Sequence, residues 1–254
     1  MDSKNPSEIF EKKVVESFSK HARSYDRYAY LQKCMAERLA SYLPEKVPSH
    51  IIELGCGTGL FTRHLLTMPI NKITLNDISP AMIEILKSQL MLPSNTKFII
   101  GNAENILFKK SDLICANAVF QWFQEPENSF KRFKNALTNN GTIIFSTFGA
   151  ETLKEFRQVA NMDSPTTLLS LNQWKTIIRK TNFTLNSFDT EKRKIFTSNT
   201  VNLIKNLQQI GATPIKMFNT GGLRKLIRYY DKHFSTAQGV YATWELYYFS
   251  ISLK

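Results

Sequence analysis

The segment Glu53-Leu-Gly-Cys-Gly-Thr-Gly59 is the part of the chain whose spacing most directly implies chemistry. An apolar run feeds three alternating glycines and then a helical stretch, so the backbone can approach a ligand closely with helix-start N–H groups beside it. A nicotinamide-binding turn needs its third glycine one residue later, in G-x-G-x-x-G, and that position is Leu60. The next acidic residue at the end of an apolar run is Asp77, 18 residues beyond Gly59. A carboxylate there can accept both hydroxyls of a ribose, as in adenosine-containing sites, or it can cap the helix that follows. Two further runs end in Gly101-Asn-Ala-Glu104 and Cys115-Ala-Asn117. All four polar ends fall where open α/β sheets bind their ligands, at the carboxyl edge.

Other reactive residues are sparse. His21, His50, His64 and His233 are isolated and have no partner motif, so no dedicated general base is expected. Cys34, Cys56 and Cys115 are widely spaced with no CxxC pair, which fits a reducing compartment and argues against a disulfide framework, a zinc site or any other metal centre.

The elements that must position these residues follow from periodicity. Residues 8–42 read as helices broken at Ser24-Tyr25-Asp26, with Val14, Val15 and Phe18, then Leu31, Met35 and Leu39, at helical spacing. From His50 the rhythm becomes alternating. Strands are expected at 50–54, 73–75, 97–100, 112–116 and 142–146, with helices at 58–67, 80–90 and 127–138. Ser79 and Pro80 mark the start of the second of these helices. Helices over 151–160 and 171–181 follow, then a strand region at 183–196. Helices over about 199–210 and 222–232 precede a last strand at 241–253. The expected architecture is α/β and Rossmann-like, with a mostly parallel seven-stranded sheet, helices on both faces, N-terminal helices and a helical insertion before the last strand. The expected division is an N-terminal helical segment or lid at 1–48, a core at 49–197, a basic helical insertion at 198–238, and a final core strand at 239–254.

The 254 residues are 43% hydrophobic and 21% charged, close to globular averages, which excludes disordered and fibrous classes. No apolar run approaches the ~20 residues of a membrane helix. The first twenty residues hold no apolar signal core, so a cytoplasmic protein with no membrane partner is expected. The net charge of +12 is uneven: residues 192–232 carry nine basic side chains and one acid, Asp231. Such an excess favours an acidic partner, or is a solvated face with none.

The E-x-G-x-G-x-G spacing resembles motif I of class I S-adenosylmethionine-dependent methyltransferases. That resemblance implies an adenine contact at Asn102, where many members have Asp. Asn117-Ala-Val-Phe120 lacks the prolines of the turn shared by enzymes that methylate base amino groups, so no nucleic-acid substrate is expected. The longer pattern resembles the malonyl-acyl-carrier-protein O-methyltransferases of biotin synthesis. It consists of Phe18-Ser-Lys-His-Ala-Arg-Ser-Tyr25-Asp26, Leu31-Gln32, the glycine turn, Asp77-Ile-Ser-Pro80 and Asn117-Ala-Val-Phe-Gln-Trp122. It continues through Ser146-Thr-Phe-Gly-Ala-Glu-Thr-Leu153, Ile210-Gly-Ala-Thr213 and Gly239-Val-Tyr-Ala-Thr243. Trp244 stands where that family more often has Tyr.

The resemblance implies methylation of the free carboxylate of malonyl-acyl-carrier protein, or of malonyl-coenzyme A, by a monomer using S-adenosylmethionine. Its implied cofactor residues are Tyr25, Gln32, Glu53, Gly55, Gly57, Gly59, Asp77, Ile78, Met82, Asn102, Ala103 and Asn117. Its implied substrate residues are Tyr25, Phe120, Trp122 and Phe148 at the pocket, with Arg224 and Arg228 facing an acidic carrier. The first half of the pattern is also shared with ubiquinone-pathway and aconitate methyltransferases, which leaves a small-molecule acceptor as the alternative. A non-catalytic module that binds S-adenosylmethionine or nucleic acid is the remaining one.

Overall fold

A computed structural model describes residues 6–164, 166–211 and 220–254. Ala212 and Thr213 of the distinctive Ile210–Thr213 stretch lie outside the described residues. Three N-terminal helices, α1 (Pro6–His21), α2 (Tyr25–Tyr28) and α3 (Tyr30–Ala40), precede the sheet. The alternating part runs β1 (Ile51–Leu54), α4 (Thr62–Leu65), β2 (Ile73–Asp77), α5 (Pro80–Gln89), β3 (Thr96–Ile100), β4 (Ser111–Asn117), α6 (Pro126–Ala136) and β5 (Leu137–Phe148). Then come α7 (Lys154–Ala160), α8 (Leu171–Lys180), β6 (Phe183–Thr197), α9 (Thr200–Gln209), α10 (Thr220–His233), β7 (Ser235–Thr236) and β8 (Gly239–Leu253).

The sheet order is β3-β2-β1-β4-β5-β8-β6, and β7 adds two residues beside β8. β1 pairs in parallel with β2 (Ile51 opposite Ile73) and with β4 (Ile51 opposite Leu113), whereas β8 is antiparallel to β5 and β6. The order reverses beside β1, so the loops after β1 and β4 splay apart and leave a crevice. The strands flanking that crevice are covered on both faces, and all four residues of β1 are buried.

The expected alternation holds with local differences. The helix expected over 58–67 contracts to α4, because Gly57 and Gly59 take left-handed φ of 54° and 91° and Pro69 follows closely. The helix expected from 151 starts at Lys154. The residues before it are tied to β8: Gly149 N–H donates to Glu245 O and Leu153 N–H to Thr243 O, each at 2.7 Å. The two-residue strand β7 was too short to be read from periodicity. Ser79 caps α5 by accepting from Met82 N–H at 3.3 Å, as Pro80 at the first turn suggests.

Each face of the sheet has its own core. One packs Phe120, Phe130, Phe145, Trp174, Phe183 and Phe249 together. Here the expectation for Phe120 is corrected: its ring lies 4.6 Å from that of Phe145 and 4.8 Å from that of Phe123, fully buried, and it lines neither cavity described below. The other core joins α3 and α5 to α9 and α10 through Met35, Leu39, Leu86, Leu207, Leu226 and Tyr230. Tyr230 donates its hydroxyl to Tyr241 O at 2.8 Å, and Asp231 accepts from the backbone and side chain of Thr200 at 3.0 and 2.6 Å. These bonds fix α10 with Arg224, Lys225 and Arg228 outward. Among the described residues, no helix is long and apolar enough to cross a membrane.

Truncating Phe120 removes an interlocked ring from a close-packed cluster. Phe120→Ala is expected to lower the unfolding free energy by about 3–5 kcal/mol. Denaturant melts measure this; a loss below about 1 kcal/mol would contradict the core assignment.

Candidate active site

The glycine turn works by three different means. A Cβ on Gly55 (φ 59°) would lie 2.5 Å from Cγ2 of Val119, and one on Gly59 would lie 2.6 Å from Cδ1 of Leu90. Those two positions therefore serve packing between the turn, the β4 loop and α5. A Cβ on Gly57 (φ 54°) would meet nothing within 4 Å. Its outer face opens into a cleft also lined by Asp77, Asn102 and Asn117.

Asp77 holds this turn. Its Oδ2 accepts from Gly57 N–H at 2.7 Å and its Oδ1 from Ser79 N–H at 2.8 Å. Burial raises its carboxyl to about 6, although the N–H groups of Ser79, Gly57 and Ile78 pull the other way. Asp77 both ties the loop before α5 and lines the cleft. Burial likewise raises Glu53 to about 8, against the Thr62 hydroxyl that donates to it at 2.7 Å. Glu53 supports the turn from behind and does not line the cleft; neither does Gly59.

Gly55, Gly57, Asp77, Ile78 and Met82 form one side of the cleft, and Asn102, Ala103 and Asn117 another. Asn102 Nδ2 donates to Glu11 Oε2 at 3.0 Å, while its Oδ1 accepts from Glu104 N–H at 3.0 Å. That oxygen already accepts one bond within the chain and keeps a second lone pair for the expected adenine contact. Asn117 is a latch: it donates to Gln32 O at 3.0 Å and accepts from the Ser146 hydroxyl at 2.7 Å. Phe10, Glu11 and Val14, which α1 brings over the cleft, have no local pattern that marks them as cleft residues.

A second cavity adjoins the first, and Phe18, Tyr25, Ala118 and Trp122 line both. Phe18 packs edge-on against Trp122 at 5.2 Å and Tyr25 at 6.1 Å. Burial, then Asp77 and Asp26, raise the Tyr25 phenol far above its ordinary value, so it stays protonated at neutral pH. Phe148 lines the second cavity as expected, together with Arg157 and Trp244. Gln32, expected at the cofactor, lines this second cavity and not the glycine cleft. Arg224 and Arg228 line neither. Arg157 was missed because it lies beyond Leu153, the end of the resembling stretch.

The remaining candidates are structural. His50 bridges Lys110 O and the Thr74 hydroxyl at 2.8 and 2.9 Å, and burial lowers its pKa. Cys56 and Cys115 are buried thiols with pKa values raised by burial.

Comparison with known proteins agrees with this geometry. A family described as "Methyltransferase domain" matches residues 52–145. Malonyl-acyl-carrier-protein O-methyltransferase 1 of Ilyobacter polytropus is 42% identical over 59% of this chain, but the match spans only 57% of that protein. The malonyl-acyl-carrier-protein O-methyltransferase of Halalkalibacterium halodurans is 35% identical, with 66% of this chain and 70% of that protein covered. The structure of the YcgJ protein of Bacillus subtilis superposes with a TM-score of 0.67 over 87% of this chain and 98% of that one, at 13% identity, which speaks to the fold alone. The chain belongs to the malonyl-acyl-carrier-protein O-methyltransferase family, within the class I S-adenosylmethionine-dependent methyltransferases.

Proposed function

We propose that this chain methylates the free carboxylate of a malonyl thioester carried on an acidic acyl carrier protein, with S-adenosylmethionine as donor. The observation that carries the reading is the shared wall: a glycine-turn cleft fit for an adenosyl group and a second, largely apolar cavity have Phe18, Tyr25, Ala118 and Trp122 in common. The relatives named as malonyl-acyl-carrier-protein O-methyltransferases supply the acceptor class.

The residues present fit the cofactor. The Cβ-free face of Gly57 leaves room for a close approach, and Asp77 presents a carboxylate to ribose hydroxyls. Ile78 and Met82 offer apolar surface beside it. When bound, S-adenosylmethionine supplies an electrophilic methyl group on a cationic sulfur. The protein's task is then alignment and exclusion of water, and the aromatic wall serves both. A carboxylate acceptor is already ionised at neutral pH, which matches a site wall whose phenol stays protonated. The exposed Arg224, Lys225 and Arg228 pair with no described acid and suit the acidic face of a carrier. A soluble, cytoplasmic monomer is the simplest setting for this activity.

Three results are expected. Asp77→Ala weakens S-adenosylmethionine binding by about 1–3 kcal/mol in calorimetry, the range for hydrogen bonds to a charged group. In the unsubstituted protein the affinity falls as pH drops through about 6, because Asp77 protonates there and can no longer accept two hydroxyls. Asp77→Asn should flatten that pH dependence, and an unchanged profile contradicts the ribose assignment.

Gly57→Val should fold, at a backbone cost of about 1 kcal/mol for a left-handed residue, yet bind no cofactor. Normal affinity in the folded variant excludes the cleft as the cofactor site.

Reversing Arg224, Lys225 and Arg228 together to Glu should cut kcat/KM for malonyl-carrier protein by about one to two orders of magnitude, mainly through association. Added salt should weaken the parent similarly as the Debye length shrinks from ~10 Å at 0.1 M to ~3 Å at 1 M. Turnover of a small malonyl thioester should not change. Carrier kinetics equal to the parent's would reduce α10 to a solvated face.

A further inference from the structure

Two buried side chains in the lining of the second cavity each carry a hydrogen-bonding atom left unpaired by the fold. Trp244 is 5% exposed and its Nε1–H has no partner; Gln32 is 7% exposed and its Oε1 has none. An orphaned buried donor costs about 1–3 kcal/mol. Trp174 Nε1–H and the Tyr248 hydroxyl are also unpaired but line neither cavity, so it is the place of Trp244 and Gln32 in the cavity lining that sets them apart. Neighbouring polar groups are satisfied internally. Gln121 donates to Ala118 O and accepts from the Thr147 hydroxyl, and the Thr152 hydroxyl exchanges bonds with the Glu245 backbone.

The same lining holds one guanidinium, that of Arg157. Its Nε donates to Thr152 O at 3.1 Å and its Nη2 to Ala150 O, which leaves Nη1 out of these bonds. Two carbonyls from the loop after β5 thus anchor the planar group, while the cation itself is not neutralised by them. Among the described lining residues the acid is Asp163, which is exposed. An anchored cation and an unpaired N–H in the lining of a largely apolar cavity suit a short anion with a second acceptor.

We infer that Arg157 and Trp244 are the acyl seat, Arg157 pairing with the free carboxylate of the malonyl group and Trp244 Nε1–H donating to the thioester carbonyl. This assignment rests on the function proposed above. A malonyl thioester offers those two acceptors one methylene apart, which an uncharged acyl thioester does not. The Gln32 carboxamide presents its oxygen, or its NH₂ after a half-turn, so it fits either polarity and the assignment rests on the two donors.

One carboxylate oxygen stays on Arg157 while the other uses an electron pair to form the new O–CH₃ bond. The pair of the breaking C–S bond remains on sulfur, which becomes a neutral thioether. No proton moves. The ester so formed has lost the charge that Arg157 held, so the seat binds substrate in preference to product.

The test uses Trp244→Phe, which keeps the ring and removes the N–H, and Arg157→Gln, with Arg157→Lys as the conservative control. With malonyl-carrier protein, Trp244→Phe should raise KM about tenfold with kcat little changed, and Arg157→Gln should lower kcat/KM about a hundredfold, with partial recovery in Arg157→Lys. S-adenosylmethionine affinity should stay at the parent value in all three. An independent readout is the ¹⁵N spectrum of the three indoles. The resonance missing from Trp244→Phe should shift when the malonyl thioester of N-acetylcysteamine is added with S-adenosylhomocysteine. Parent-like kinetics in Trp244→Phe and Arg157→Gln, or an unmoved Trp244 resonance, overturns the seat while leaving the proposed function standing. If the parent protein methylates no malonyl thioester, the proposed function falls and the seat falls with it.

Discussion

The bond from Gly57 N–H to Asp77 is the constraint around which the site is arranged. Its donor lies in the turn after β1 and its acceptor at the end of β2, so it sets the height of the turn against the neighbouring strand. The left-handed backbone at Gly55, Gly57 and Gly59 makes the reversal attainable. Val119 and the Leu86–Leu90 end of α5 then fill the space where two of those glycines have no side chain. The third is left facing the cleft. Because Asp77 is buried, the same carboxylate that organises the turn is held near its protonation point, so turn geometry and ligand affinity are coupled through one group.

Around that pair the chain builds two compartments and not one. The N-terminal helices close the first, through Phe10, Glu11 and Val14. The second forms where the loop after β5 meets β8, a junction held by Glu245 and Thr152 and by Glu155, which accepts from Thr243 N–H at 3.0 Å. Trp244 lies within that junction, with its ring 5.2 Å from Phe148. The wall between the compartments is aromatic, which suits a transfer whose main requirements are alignment and dryness.

Legibility in the sequence followed the range of the interactions involved. The Ser79-Pro80 start of α5, the glycine turn and the apolar parallel strands are local signals, and the structure reproduces them. Phe120 and Trp122 look equivalent in sequence, but the single 3₁₀ turn at 120–122 sends one into the core and leaves the other on both cavities. No local pattern distinguishes them. Asn102 was recognised by position, yet its partner Glu11 lies 91 residues away on α1, so its internal bonding could not be read. Arg157 acquires meaning only once the loop carbonyls of Ala150 and Thr152 anchor it in the lining it shares with Trp244. The basic bias of 192–232 was plain from composition, whereas the packing that turns Arg224 and Arg228 outward depends on Tyr230 and Asp231 reaching other elements.

The proposed reaction is methylation, on its free carboxylate, of a charged malonyl group delivered by an acidic carrier. A methyl-transfer assay with labelled S-adenosylmethionine, run side by side on malonyl-carrier protein, malonyl-coenzyme A and free malonate at matched concentrations, tests it most directly. Base-labile methyl ester is expected on both thioesters, formed fastest on the carrier-bound one at low salt, with little on free malonate. Equal rates on free malonate and malonyl-carrier protein, or no ester on either thioester, would contradict it.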